Sequence, residues 1–319
     1  MKYSEILWIY NKDIFDILTN TYFNEMIDVL NKDFSVIDYQ KFKFNYNDYD
    51  YIILMTRSLQ LVKDYTNSCL DDFFENFLKK SPDKKIILYI EDYLNTLNFD
   101  YPKIKYLITK YQNKIKIALS LYPEKYLENI KYINVPFFIP DYNLDLKLDK
   151  QFDLLLWGAI NDSHYPLRKK INDLMLAKAK NKIIKIQKLE HSGYTEKTKI
   201  HDITGKKLHK LLSHFWFSLC TCEKKNYNCS FVPRKYLECM INGTIPVGDY
   251  PNMLNIYTKY KVEMVDVYKL NIFKLDKILA LYLKNKSKLI QIIINNYKIA
   301  KDFTFDKQNE YFYRIIFEL

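Results

Sequence analysis

Apolar positions along the chain follow two alternating periods. Short runs such as EILWIY (5–10), FSVIDY (34–39), DYIILM (50–55) and KKIILYIED (84–92) have the length and β-branched content of buried strands. Between them, 13–31 repeats Ile14, Ile17, Leu18, Phe23 and Ile27 at helical spacing, and helical patterns recur through 58–80 and 102–112. KIKIALS (114–120) and INVPFFIPD (133–141) follow, and then the polar, non-periodic DYNLDLKLDK (141–150), which reads as a linker. The alternation restarts with strand FDLLLWG (152–158), helix 165–180, strand KIIKIQ (182–187), helix 205–213 and strand FWFSLCT (215–221). A short helix, TIPVGD (244–249), KVEMVDV (261–267) and helices from about 273 complete it. Strands alternating with helices predict an α/β protein of two Rossmann-like halves, each with a parallel, doubly wound sheet.

Composition adds limits. A length of 319 residues suits two domains of about 150 each, here residues 1–145 and 146–319. No apolar run reaches the ~18 residues of a membrane span, and MKYSEILWIYNKD lacks the features of a secretory signal. The expectation is a cytoplasmic protein with no membrane span. Five cysteines, an odd number, fit reduced thiols in that compartment. The net charge of +11 is uneven: 20 basic against 22 acidic residues in 1–150, and 29 against 16 in 151–319. The second half is therefore the one expected to handle an anion, a phosphate-bearing small molecule or nucleic acid.

Glycine is scarce, with five in the chain, yet Gly243 and Gly248 both fall in RKYLECMINGTIPVGD (234–249). Ser230 is a good N-cap and Pro233 suits a first helical turn. Gly243 stands where a helix needs a left-handed residue to stop. Gly248 then sits at the carboxyl end of a strand, where α/β sheets bind phosphates and nucleotides. Arg234 and Glu238 share a helix face. As a surface ion pair in the less favourable order they contribute only ~0.2–0.5 kcal/mol. As a binding pair, Arg234 or Lys235 meets a pyrophosphate and Glu238 accepts both hydroxyls of a ribose diol. The residues alone leave these readings level.

SFVPRKYLECMINGTIPVGD resembles the donor-site signature of GT-B fold glycosyltransferases, a basic residue before xxE, a small-residue turn and xPV. The order FDLLLWG, YPLRKKI, HSGY and then the acid-bearing helix is similar to group 1 and spore-maturation-type members. The resemblance covers roughly 150–300 and reaches the first half by architecture only. It implies two Rossmann-like domains facing across a cleft, the first taking the acceptor and the second the nucleotide sugar, with terminal helices crossing back to the first. By this resemblance Glu238 binds the ribose, Arg234 and Lys235 the diphosphate, and Gly158 lets a loop approach the phosphates. The turn at Gly243–Pro246 shapes the pocket floor, and His191, beside Gly193, lies near the donor sugar unless it is an ordinary loop histidine. Ser230 occupies the position of the first acid in the Glu-x7-Glu of retaining members, a departure that favours inversion. All five histidines lie in the second half, so the acceptor base is sought among carboxylates. Glu91 and Asp92 end the strongest first-half strand, and Asp92 is similar in placement to the base of T-even phage DNA β-glucosyltransferase. A helix or turn cap is the competing role for it.

Other signals carry less. DYD at 48–50 has Asp-x-Asp spacing but sits in a polar turn. Cys220 and Cys222 flank a single residue, too close for a zinc pair. Trp157 and Trp216 fall in strand patterns. Neither a dinucleotide fingerprint nor a P-loop occurs. The sequence thus points to a metal-independent glycosyltransferase with no resident cofactor, transferring from a nucleotide-diphosphate sugar, UDP-hexose by preference, to a glycan or protein hydroxyl. The alternatives are a DNA-base glucosyltransferase and a non-catalytic nucleic-acid-binding or scaffold protein on the same fold.

Overall fold

In a computed structural model the described residues are 3–12, 21–56, 68–90, 101–121, 129–160, 165–189, 205–222, 234–250 and 261–318. Contacts divide the chain into two units, residues 1–136 with 305–319, and residues 137–304. The division falls before the polar stretch 141–150. The N–H of Ile139 donates to Phe303 O at 2.9 Å and Lys301 pairs with Asp141, which tie residues 137–141 into the second unit.

In the first unit the strands are β1 (Tyr3–Tyr10), β2 (Phe34–Asp38), β3 (Tyr51–Met55), β4 (Ile86–Ile90), β5 (Ile115–Ser120) and β6 (Tyr132–Asn134). They form one sheet in the order β2-β1-β3-β4-β5-β6, every neighbouring pair parallel. Helices α1 (Thr21–Asp33), α2 (Ser68–Lys80) and α3 (Tyr101–Lys110) alternate with them. Strands covered on both faces must be apolar throughout, and β4 is buried at all five positions. Trp8 on β1 is fully buried, with Tyr89 at 5.4 Å and Phe312 at 5.1 Å between ring centroids, both edge-on. Phe312 comes from the terminal helix, so residues 305–317 belong to this core.

The second unit has β7 (Phe152–Leu156), β8 (Ile186–Lys188), β9 (Phe215–Leu219), β10 (Ile245–Gly248) and β11 (Val265–Asp266) in the order β11-β10-β9-β7-β8. These too are parallel throughout. Helices α4 (Pro166–Ala179), α5 (Gly205–Leu212), α6 (Arg234–Ile241), α7 (Leu275–Leu283) and α8 (Lys286–Lys301) accompany them, and α9 (Phe305–Phe317) closes the chain on the first unit. The α/β class with two parallel sheets is as the periodicity indicates. The strand expected at 182–187 begins later, at Ile186, because Lys182 adopts φ +52° in the turn that ends α4. KVEMVDV contributes only two strand residues, Val265 and Asp266.

The two glycines of RKYLECMINGTIPVGD answer separate geometric demands. Gly243 has φ +65° and follows α6 in the left-handed cap position, its N–H bonded to Met240 O at 3.1 Å. Gly248 is required by close approach: a Cβ there would lie 1.6 Å from the carbonyl oxygen of Cys220. Buried Lys150 donates to Ser213 O (2.9 Å) and Asn242 O (3.4 Å), capping the carboxyl ends of α5 and α6 together. Burial lowers its ammonium to about 7.

Candidate functional site

In a doubly wound sheet the strand order reverses at one point, and the carboxyl ends there leave a crevice. In the second unit that point lies between β7 and β9, since β8 extends the sheet on one side of β7 and β9 on the other. Trp157, Gly158 and Ala159 follow β7. Cys220, Thr221 and Cys222 follow β9, and Asp249 follows β10. The amino ends of α4 and α6 reach the same edge, bringing Arg168 and Lys235.

Lys235 donates to Trp157 O at 2.8 Å, and its Nζ lies 4.0 Å from the Trp157 ring centroid. Trp157 is fixed by its own Nε1, which donates to Ser218 Oγ at 2.6 Å. Gly158 has φ +89°, and a Cβ on it would meet Lys235 Nζ at 2.2 Å and Arg168 Nη1 at 3.1 Å. Two cations therefore converge on one glycine. Arg168 is 4% exposed. Its guanidinium donates to Ala159 O (3.1 Å), Thr221 Oγ1 (3.1 Å) and Thr221 O (2.8 Å), and covers the Tyr165 ring at 3.9 Å. Burial, reinforced by neighbouring Arg168, lowers the Lys235 ammonium to about 7.

Asp249 is held from behind. It accepts from Cys222 N at 2.9 Å and from Tyr236 OH at 3.1 Å, and burial raises its carboxyl above the usual range. The same Tyr236 hydroxyl lies 2.9 Å from Cys220 O. These bonds lock the β9 and β10 ends to α6, so Lys235 enters from a rigid base. Cys220 and Cys239 are buried free thiols with Sγ atoms 3.3 Å apart. Cys222 is disulfide-bonded, so the expectation of reduced thiols fails at that position. Among the described residues no cluster of three metal-ligating side chains occurs.

One turn along α6, Arg234 Nε lies 3.0 Å from Glu238 Oε1, and the Glu238 side chain is 6% exposed. The ion pair forms, and it is buried at its Glu238 end. Behind Glu238, Asn242 Nδ2 donates to Glu238 O at 2.7 Å and lies 3.0 Å from His209 Nδ1. Burial depresses His209 to about 4.

Of the residues singled out by sequence, Gly158, Lys235, Arg234 and Glu238 gather at this edge. Gly243 does not. It lies past the far end of α6, whose eight residues span about 12 Å, and it opens β10 at the amino ends of the strands. Glu91, Asp92, His191, Gly193 and Ser230 lie outside the described residues. Arg168 was passed over: YPLRKKI showed it only as part of a helix opening. Its signal was a cation in the first turn of a helix that follows a Gly-terminated strand.

This is the GT-B fold. No protein-family model and no curated protein sequence matches the chain. Among solved structures, an α1,3-fucosyltransferase aligns over 100% of this chain and 91% of its own, at TM-score 0.52 and 13% identity. Anabaena HepE, in complex with UDP and glucose, aligns over 98% and 99%, at TM-score 0.52 and 11% identity.

Proposed function

We propose that the protein is a glycosyltransferase that takes a sugar from a nucleotide-diphosphate donor bound at the β7/β9 edge of the second unit. One observation carries this reading: Lys235 and Arg168 converge on the positive-φ Gly158 at the switch point of a parallel sheet. Two cations meeting where backbone leaves room suit a diphosphate. Glu238, one turn along α6, accepts the ribose hydroxyls, and Arg234 orients it through their ion pair. His191, Gly193 and Ser230 remain assigned to the sugar and phosphate surroundings by resemblance alone.

In the reaction, an acceptor hydroxyl loses its proton to Asp92, with Glu91 beside it as the other candidate base. Its oxygen attacks the anomeric carbon while the bond from that carbon to the diphosphate oxygen breaks. A single displacement inverts the anomeric centre. Lys235 and Arg168 stabilise the charge that grows on the departing diphosphate, so the chemistry asks for no metal. β4, a central strand of the first sheet, ends at Ile90, and Glu91 and Asp92 follow it in the sequence. The preferred donor is a UDP-hexose, the acceptor a glycan or protein hydroxyl, and the setting cytoplasmic. HepE, similar in fold, was crystallised with UDP-glucose. The test is release of free nucleoside diphosphate from UDP-, GDP- and ADP-sugars, with and without glycan acceptors. Turnover of one donor that falls at least a hundredfold in Asp92→Asn and in Glu238→Ala supports the reading. Turnover unchanged by both, or none with any donor, overturns it.

A further inference from the structure

The second unit carries a face on which apolar and basic side chains interleave. Tyr268, Phe273 and Leu281 are 61%, 64% and 62% exposed, the three most exposed large apolar side chains among the described residues. Lys277 and Leu281 are four apart on one face of α7, Phe273 lies in the 3-10 turn Ile272–Lys274 just before the helix, and Lys284 caps its end. The inward positions Leu275 and Leu279 are fully buried, so Lys277 and Leu281 are on the outer side of α7. Lys274, Lys277 and Lys284 are all exposed.

The neighbouring helix extends the face. Lys170 on α4 lies 5.7 Å from the Phe273 ring centroid. Lys178, at the end of α4, donates to Phe273 O and pairs with Asp276 at 2.6 Å. The acids here are already engaged: Asp276 is 2% exposed and held by Lys178, Asp266 pairs with Lys269 at 3.2 Å, and Asp173 pairs with Lys169 at 2.6 Å. The lysines beside the apolar tips thus face outward as net positive charge.

We propose that this face, built on α7 and the end of α4, docks the protein on an anionic lipid surface. The alternation decides the partner. Phe273 and Leu281 sink to the boundary between head groups and acyl chains, while the lysines between them extend their stems and set their ammonium groups at the lipid phosphates. A nucleic acid would use the lysines and leave Leu281 and Phe273 in water. An apolar protein groove would use those two and desolvate the lysines. A bilayer with negative head groups uses both, and this chemistry matches the cytoplasmic leaflet. The proposal stands independently of the donor site, which is on other residues.

The experiment is sedimentation of the full chain with vesicles of phosphatidylcholine alone, and of phosphatidylcholine mixed with phosphatidylglycerol. Binding is expected to the mixed vesicles, weakening as salt rises. Each lysine near the surface contributes roughly fivefold, so Lys274→Gln/Lys277→Gln/Lys284→Gln should weaken binding about a hundredfold. Phe273→Ser/Leu281→Ser should weaken it at least tenfold. Both variants should keep the parent melting temperature, because the altered side chains are exposed. Absence of binding, equal binding to neutral vesicles, or binding indifferent to either variant overturns the proposal. So does binding of duplex DNA that depends on the lysines but not on Phe273 and Leu281.

Discussion

Replacing Lys235 by Met removes one proton-binding site from the centre of the proposed phosphate pocket while keeping a side chain of similar length. Burial and Arg168 lower this ammonium from 10.5 to about 7. In the unfolded chain it titrates near 10.4, so between about pH 7 and 10.4 the unfolded state holds more protons than the folded one. Stability therefore rises with pH across that window, by up to 1.36 kcal/mol per pH unit for this group. Below pH 7 both states are protonated and the full penalty persists, with a ceiling of about 5 kcal/mol. Lys235 is only partly buried, and solvent reaching its stem brings the real figure below that ceiling. Lys150, also lowered to about 7, titrates in the same window, so the variant should flatten the rise and not abolish it. The assay is chemical denaturation of the parent and Lys235→Met from pH 6 to pH 10. The two stability curves should lie furthest apart near pH 6–7, with the variant the more stable, and converge as pH rises and the parent loses its penalty. Curves that stay parallel would refute the claim that Lys235 is desolvated beside Arg168.

Two further outcomes follow from the same geometry. Gly158→Ala places a Cβ at 2.2 Å from Lys235 Nζ on a backbone at φ +89°. It should lose about 1–3 kcal/mol of stability and weaken nucleoside diphosphate binding at least tenfold by displacing the ammonium. Denaturation and calorimetry on the same variant check both. His209, depressed to about 4 by burial, keeps the folded state less protonated than the unfolded one between pH 4 and 6.5. Stability should fall with acid through that window by up to about 3 kcal/mol, and His209→Gln should remove that component from the acid-denaturation profile.

Much of the fold was legible because buried parallel strands are near-continuous apolar runs; β4 and β9 are buried at every position and were plain as IILYI and FWFSL, the latter broken only by Ser218, which takes the Trp157 N–H. Boundaries were harder where backbone conformation decides, as at Lys182. The boundary lies about nine residues earlier than the polar stretch suggested, because Ile139 is held by Phe303 in the second unit, whereas the return of the terminal helix, where Phe312 meets Trp8, is as the resemblance implied. At the candidate site, Gly158, Lys235 and Glu238 stood out through spacing and resemblance. Arg168 did not, since only folding sets the first turn of α4 against the end of β9. Gly243 shared a stretch with the site residues, yet helix length puts it at the other end of the sheet.

The most direct test of the donor site is calorimetric titration of the protein with UDP, GDP and ADP, beside Glu238→Ala and Arg168→Met. Micromolar binding of one diphosphate is expected, taking up protons near pH 8 as Lys235 charges, and weakened at least tenfold in each variant. Absence of binding to all three, or affinity indifferent to both substitutions, would contradict a nucleotide site at the β7/β9 edge.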